Sequence, residues 1–352
     1  MNPDDSASHD PVSSLGISKF PCGWRSGFPV RRTAWRRARK FRLSRDARPG
    51  DKARMQHTPA SKFLRSIFTA AALTAFGIMS QASAEIAVKS GDKIAFLGDS
   101  ITAGGWGNPA GYVHLVIAGL EANGVKAEAV PAGISGHKSD QMLARLEKDV
   151  LSKKPQWMTL SCGVNDVWHG KRGVPLDDAA AAKPGEYDEK VATRGTYKKN
   201  ITAIVEQAAA AGAKPVILTA TVIQENLESP ENGRLAPYND FLRSLAKEKH
   251  IPIADLFSLF ADRIKKENKP GTKVLTSDGV HMNGEGNKLM AIGVLQAFGL
   301  NDSELEKAKA SWAPLEAAAA ETAKKAAEAR AAAAKAKADA EKAKSQSAPN
   351  AK

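Results

Sequence analysis

Between Lys89 and Leu300, short apolar runs alternate with stretches of helical spacing. The runs KIAFLG (93–98), AEAVPAG (127–133), WMTLSCG (157–163), PVILTA (215–220) and IPIADL (251–256) lack a strict polar alternation. They read as strands covered on both faces, the pattern of a parallel sheet between helices. The stretches between them carry apolar stripes: Val113, Val116, Ile117 and Leu120; Met142, Leu143, Leu146 and Val150; Tyr197, Ile201, Ile204, Val205 and Ala208; Tyr238, Leu242 and Leu245. A final stripe is Leu289, Ile292, Val294, Leu295 and Phe298. Strands alternating with helices make βαβ units with right-handed crossovers, and about 210 residues suffice to bury one substantial core. Ligands of such a sheet bind beyond the carboxyl ends of its strands. Ser100 follows the first predicted strand, Gly136 the second and Asn165 the third, so all three are expected on one rim. Residues 170–196 break the alternation just after Asn165 and are expected to hang over that rim as a loop or lid.

The pattern stops at both ends of the chain. Residues 1–54 hold 13 Lys/Arg against 5 Asp/Glu and no apolar periodicity. Such a segment cannot bury enough to fold alone, and it is read as a basic extension that is either non-native, from an over-extended gene start, or disordered. From Met55 the order changes: Lys62 and Arg65, then an apolar stretch of 13 residues from Ile67 to Met79, then Ala82-Ser83-Ala84. That is the layout of a signal peptide over 55–84, too short for an ordinary membrane span. Cleavage after Ala84 and a secreted or periplasmic product without a stable span are expected. The formal charge of +13 then matters little, because residues 85–352 carry only +3; no nucleic-acid partner is expected. Cys162 would be the one cysteine left, so an exported product has no internal disulfide. Residues 316–344 are almost wholly Ala, Lys and Glu. These are strong helix formers, but alanine offers no stripe with which to dock. Residues 301–352 are therefore expected to form a solvated helical tail, free to contact the cell envelope.

Candidate chemistry lies on the rim. Acyl transfer needs a nucleophile, a base, a group that orients the base, and donors for an oxyanion. FLGDSITAGG (96–105) presents Ser100 between an acidic residue and a glycine-rich loop, which by itself fits a turn as well as a nucleophile. TSDGVHMN (276–283) offers Asp278 and His281, three apart, so that the carboxylate can reach Nδ1 and leave Nε2 for a serine. DVWH (166–169) repeats the spacing with Asp166 and His169, but Asp166 adjoins Asn165 and should point away from it. The Ser100 and Gly136 N–H groups and the Asn165 amide are available oxyanion donors, and a polar amide at a strand end needs a partner. Asp99 is expected to cap the turn that follows it. Trp106, Trp168 and His169 are candidates for a sugar-binding cleft, although packing explains each equally well; His114 and His250 read as ordinary surface or half-buried residues. No phosphate-binding loop or zinc-protease motif occurs, and GISGH (133–137) is not the G-x-S-x-G elbow. Asp166, His169 and His137 match no recognised ligand set, so neither metal nor cofactor is expected.

GDS (98–100), ISG (134–136), GVND (163–166) and DGVH (278–281), in this order, resemble the four blocks of the SGNH (GDSL) hydrolases. The resemblance spans residues 92–300 and assigns 85–300 to a hydrolase domain. It implies a flavodoxin-like three-layer α/β/α sandwich with a central parallel sheet, and a serine esterase. Ser100 would be nucleophile, His281 base and Asp278 its orienter, with Ser100, Gly136 and Asn165 around the oxyanion. Residues 177–196 look inserted relative to compact members. Within the family the tryptophans resemble those of carbohydrate O-acetylesterases of the rhamnogalacturonan acetylesterase type, which implies an acetylated saccharide as ester substrate. A lysophospholipase, arylesterase or thioesterase is the alternative enzyme. A non-catalytic carbohydrate-binding envelope protein is the alternative from another class.

Overall fold

The computed structural model describes residues 85–188, 190, 193–267 and 271–347. The expected basic extension (1–54) and the expected signal peptide (55–84) lie outside the described residues. Five strands, β1 (Lys93–Gly98), β2 (Glu128–Gly133), β3 (Trp157–Ser161), β4 (Lys214–Leu218) and β5 (Ile253–Ala254), form one parallel sheet in the order β2-β1-β3-β4-β5. Its centre is apolar on both faces: Ile94, Phe96, Leu97, Met158, Val216, Ile217 and Leu218 are all buried. The continuous apolar runs of the sequence follow from that double coverage.

Helices supply the cover. The first stripe becomes α2 (Tyr112–Ala122), the second α3 (Ser139–Asp149), the third α6 (Tyr197–Ala210) and the fourth α7 (Pro230–Lys249). The last predicted helix is α9 (Gly284–Ala297). Helix α2 packs with α9, and α3 packs with α6, giving the outer layers of the sandwich. Strand order reverses on either side of β1, so the switch point lies between β1 and β3, where a sheet of this topology takes its ligand. Ser100 follows β1 and Asn165 follows β3.

Four features differ from the sequence reading. The glycine-rich segment after Ser100 is not a loop but α1 (Ser100–Gly107). Gly98 is required for close approach: a Cβ there would lie 2.0 Å from Thr102 Oγ1. The fifth strand keeps only two residues, because Asp255 accepts from Ser258 N–H and starts α8 (Leu256–Glu267), which buries Leu256 and Phe260. The irregular segment, with α4 (Val164–Trp168) before it and the short α5 (Asp178–Ala181) within it, bonds mainly to helices beside the rim. Val174 N–H donates to Asp166 O, Tyr197 N–H to Pro175 O, and Tyr238 Oη to Val174 O.

The expected boundary at residue 300 also moves. Helix α10 (Asp302–Ala310) opens with a capping box between Asn301 and Glu304 and packs on α2 through buried Leu305 and Ala308. Trp312 is buried as well, and its Nε1 donates to Leu115 O at 2.9 Å. The long helix α11 (Ala313–Ser347) touches the domain through its first turns, with Leu315 and Ala319 half-buried and Glu316 paired to Lys288. Beyond that its described side chains are exposed.

Candidate active site

Ser100 is the first residue of α1, and Asp99 is its N-cap: Asp99 Oδ1 accepts from Ile101 N–H at 2.9 Å. This is the expected capping role. The serine N–H therefore points out of a helix N-terminus, where backbone donors and the helix dipole favour negative charge.

A tight turn faces it. The chain bends at Gly279 (φ +105°), and Thr276 pairs with Met282 across the bend. Asp278 Oδ1 accepts from the N–H groups of Val280 and His281, which leaves Oδ2 for the ring. His281 Nδ1 lies 2.6 Å from Asp278 Oδ2, and His281 Nε2 lies 2.9 Å from Ser100 Oγ. Partial burial pushes the Asp278 carboxyl up, but the hydrogen bonds from the His281 side chain and the two N–H groups outweigh it and hold the group at about 2. Asp278 is thus ionised across the neutral range and fixes His281 with its proton on Nδ1.

The three candidate donors surround the serine's end of the sheet. Gly136 has φ +77°, a left-handed conformation that favours glycine, and a Cβ there would meet nothing. Neither its N–H nor that of Ser100 has an acceptor among the described residues. Asn165, in the first turn of α4, is 6 % exposed. Its Nδ2 donates to Asp99 Oδ2 at 3.3 Å and to His137 O at 3.2 Å, and its Oδ1 lies 3.1 Å from His169 Nε2. The amide is therefore oriented from three sides by contacts long enough for an oxyanion to displace one.

Asp99 has a second task that the sequence did not reveal, since its Oδ2 holds Asn165. Burial raises its carboxyl to about 6. Arg145, which sequence reasoning missed, ties the two donor loops together: Nη2 donates to Gly98 O at 2.9 Å and Nε to His137 Nδ1 at 3.1 Å. It sits on the buried side of α3 among apolar positions, where a lone arginine gives no readable signal.

The second D-x-x-H pair is not assembled as a dyad. Asp166 turns inward, its Oδ1 accepting from Ser139 N–H and Ser139 Oγ and its Oδ2 from Cys162 Sγ. Burial raises it to about 6 as well. His169 bonds Asn165 instead, and desolvation with the charges of Lys138 and Arg172 lowers its pKa.

Among the described residues, Trp106, Trp168 and Ile134 are the large hydrophobic side chains left exposed, at 41 %, 40 % and 39 %. Each belongs to a segment that carries a site residue. Trp106 is stacked on His114 at 4.6 Å, and His114 Nε2 lies 2.7 Å from Trp106 O. His114 is half-buried, as expected, and it also braces that tryptophan. Ile134, two residues before Gly136, was not singled out from sequence, although the ISG block contains it.

A family model described as the GDSL-like Lipase/Acylhydrolase family matches residues 96–289. An acetylxylan esterase from Geobacillus stearothermophilus is 26% identical over 224 residues, which cover 60% of this chain and 96% of that protein. A Bacillus subtilis protein described as the uncharacterized lipoprotein YqeF is 21% identical, over 46% of this chain and 70% of its own length. Among solved structures, an acetylxylan esterase from Geobacillus stearothermophilus superposes with a TM-score of 0.50 at 25% identity, covering 61% of this chain and 97% of that one.

Proposed function

Because the chain belongs to the GDSL-like lipase/acylhydrolase family and is a carboxylic ester hydrolase, we propose that it is an exported serine esterase that removes O-acetyl groups from carbohydrate, acting through Ser100, His281 and Asp278. The observation that carries the mechanism is the unbroken hydrogen-bonded chain from Asp278 through His281 to Ser100 Oγ. Ser100 Oγ attacks the ester carbonyl carbon while His281 Nε2 takes its proton. Asp278 holds the imidazole in the tautomer that leaves Nε2 free and stabilises the imidazolium. Negative charge gathers on the former carbonyl oxygen, facing the Ser100 and Gly136 N–H groups and the Asn165 amide. His281 returns the proton to the sugar oxygen as its bond to the carbonyl carbon breaks, so the sugar leaves as an alcohol and an acetyl-serine remains. Water then attacks this ester with His281 as base, and acetate leaves.

The acetylated saccharide rests on two supports: the similarity to acetylxylan esterases and the exposed apolar side chains of Trp106, Ile134 and Trp168 beside the site, since aromatic faces stack on sugar rings. Hydrolysis rates on acetylated xylo-oligosaccharides, set beside p-nitrophenyl esters of rising acyl length, test it. Acetate release from the oligosaccharide with a steep fall beyond short acyl chains is expected. A preference for long acyl chains with no release from acetylated sugars would instead make the protein a lipid or aryl esterase. Export rests on the basic-apolar-Ala82-Ser83-Ala84 order from Met55. N-terminal sequencing of the product should begin at Glu85, and a cytoplasmic product retaining residues 1–54 would overturn this.

A further inference from the structure

Two adjacent non-glycine residues, Gln224 and Glu225, have φ of +62° and +53°. The other such residues among those described, Lys154 and His250, close helices, where a left-handed residue is common. Gln224 and Glu225 close none; they lie in the loop between β4 and α7. Left-handed backbone at non-glycine positions persists only where surrounding contacts hold it, and it gathers at functional sites.

The contacts here converge on the turn that carries His281. Gln224 N–H donates to Gly279 O at 2.6 Å. Glu225 Oε2 accepts from Val274 N–H at 2.6 Å, and Oε1 accepts from the N–H groups of Leu275 and Thr276 and from Thr276 Oγ1. One carboxylate thus collects four donors from three consecutive residues. No Lys or Arg pairs with it among the described residues, so its charge is directed at three backbone N–H groups and the Thr276 hydroxyl. Thr276 passes the restraint on: its Oγ1 also accepts from Gly279 N–H at 3.0 Å, inside the bend between Asp278 and His281. The far arm is held too, because Thr276 bridges to Met282.

We propose that Glu225 is the positioning residue of the catalytic turn, fixing the segment that enters it so that Asp278 and His281 meet Ser100 in register. The proposal rests on the triad reading given above. A carboxylate is specifically required, because a glutamine has one acceptor oxygen and would set its NH₂ against at least one of these N–H donors. A misplacement of about 1 Å in a reacting group can cost about 10²-fold in rate.

The test compares wild type with Glu225→Gln, Thr276→Val and His281→Ala. Three quantities are read: kcat and KM on p-nitrophenyl acetate, the thermal midpoint, and the low-field proton NMR signal of the imidazole Nδ1–H bonded to Asp278. Glu225→Gln should lower kcat about 10- to 100-fold with KM within about 2-fold, and should shift or broaden the Nδ1–H signal in a protein that still melts cooperatively. Thr276→Val, which removes only the relay hydroxyl, should move both readouts the same way by less. It decides the matter if Glu225→Gln does not fold. Wild-type kcat and an unmoved signal in the folded variants would overturn the proposal. His281→Ala is the separate control on the triad: if it kept both activity and the signal, the triad reading itself would fail, whatever Glu225 does.

Discussion

Two histidines at identical spacing from an aspartate are separated by what each ring touches. His281 bridges Asp278 and Ser100; His169 touches Asn165. His281→Ala should therefore lose at least ~10³-fold in kcat, as removal of a triad member does, while His169→Ala should change kcat by less than ~10-fold and act mainly on KM or substrate preference. Steady-state kinetics of the two variants check this, and the reverse order would make the base assignment wrong. Asn165→Ala should lower kcat by ~10²–10³ with little change in KM, the usual cost of one oxyanion donor; a change confined to KM would make Asn165 a ground-state contact. Asp278 gives a pH dependence of definite sign. Its folded pKa, about 2, lies below the ordinary carboxylate value, so the stabilisation its bonds confer is full above about pH 4 and is lost as pH falls toward 2. The thermal midpoints of wild type and Asp278→Asn should accordingly converge over that interval. The gap should be modest, because the Asp278 side chain is 53 % exposed and solvent screens it. Ser100, Asp278 and His281, which the structure links by hydrogen bonds, and Gly136 and Asn165 near them were legible as candidates because four short blocks carry them. Glu225 and Arg145 were not, since each bonds groups that lie far from it in sequence.

Helices and strands with a strong apolar period were legible, and those without one were not. The stripes that became α2, α3, α6 and α9 lie where the spacing put them. Helix α1 was hidden because three of its eight residues are glycine, poor helix formers. It survives through the Asp99 cap and through packing so close that Gly105 has Tyr112 where a Cβ would be. Helix α8 was hidden by the strand-like run before it. The C-terminal boundary was misplaced for a different reason: Leu305 and Trp312 are isolated apolar residues in a charged stretch, and their burial depends on a groove along α2 that no local pattern reveals. Truncation separates the two parts of this end. A chain ending after Lys324 should keep its thermal midpoint and kcat, having lost only exposed helix. One ending after Leu300 exposes the surface that Leu305, Ala308 and Trp312 cover and should lose roughly 3–5 kcal/mol in denaturant unfolding, judged from the area rule for large apolar side chains. Equal stability of the two truncations would show that α10 contributes nothing to the domain.

For the molecule as a whole, the sheet order explains how residues distant in sequence reach one place. Parallel strands β1, β2 and β3 end on the same side, so Ser100, Gly136 and Asn165 gather at one rim around the switch point. The turn at 276–282 brings Asp278 and His281 to it from beyond β5. The buried polar groups behind that rim are bound to each other: Asp99 to Asn165, Asp166 to Ser139, Arg145 to Gly98 and His137. The Ser100 and Gly136 N–H groups have no acceptor among the described residues, which is the arrangement an oxyanion needs. The central claim is that Ser100 is a nucleophile activated through His281, and its most direct test is covalent. A fluorophosphonate transfers its phosphonyl group to an activated serine Oγ with loss of fluoride. Intact mass and peptide mapping after labelling should give one adduct per chain on the peptide containing Ser100, none in Ser100→Ala, and greatly slowed labelling in His281→Ala. Full labelling of folded Ser100→Ala, or an adduct on any other residue of the wild type in place of Ser100, would contradict the account.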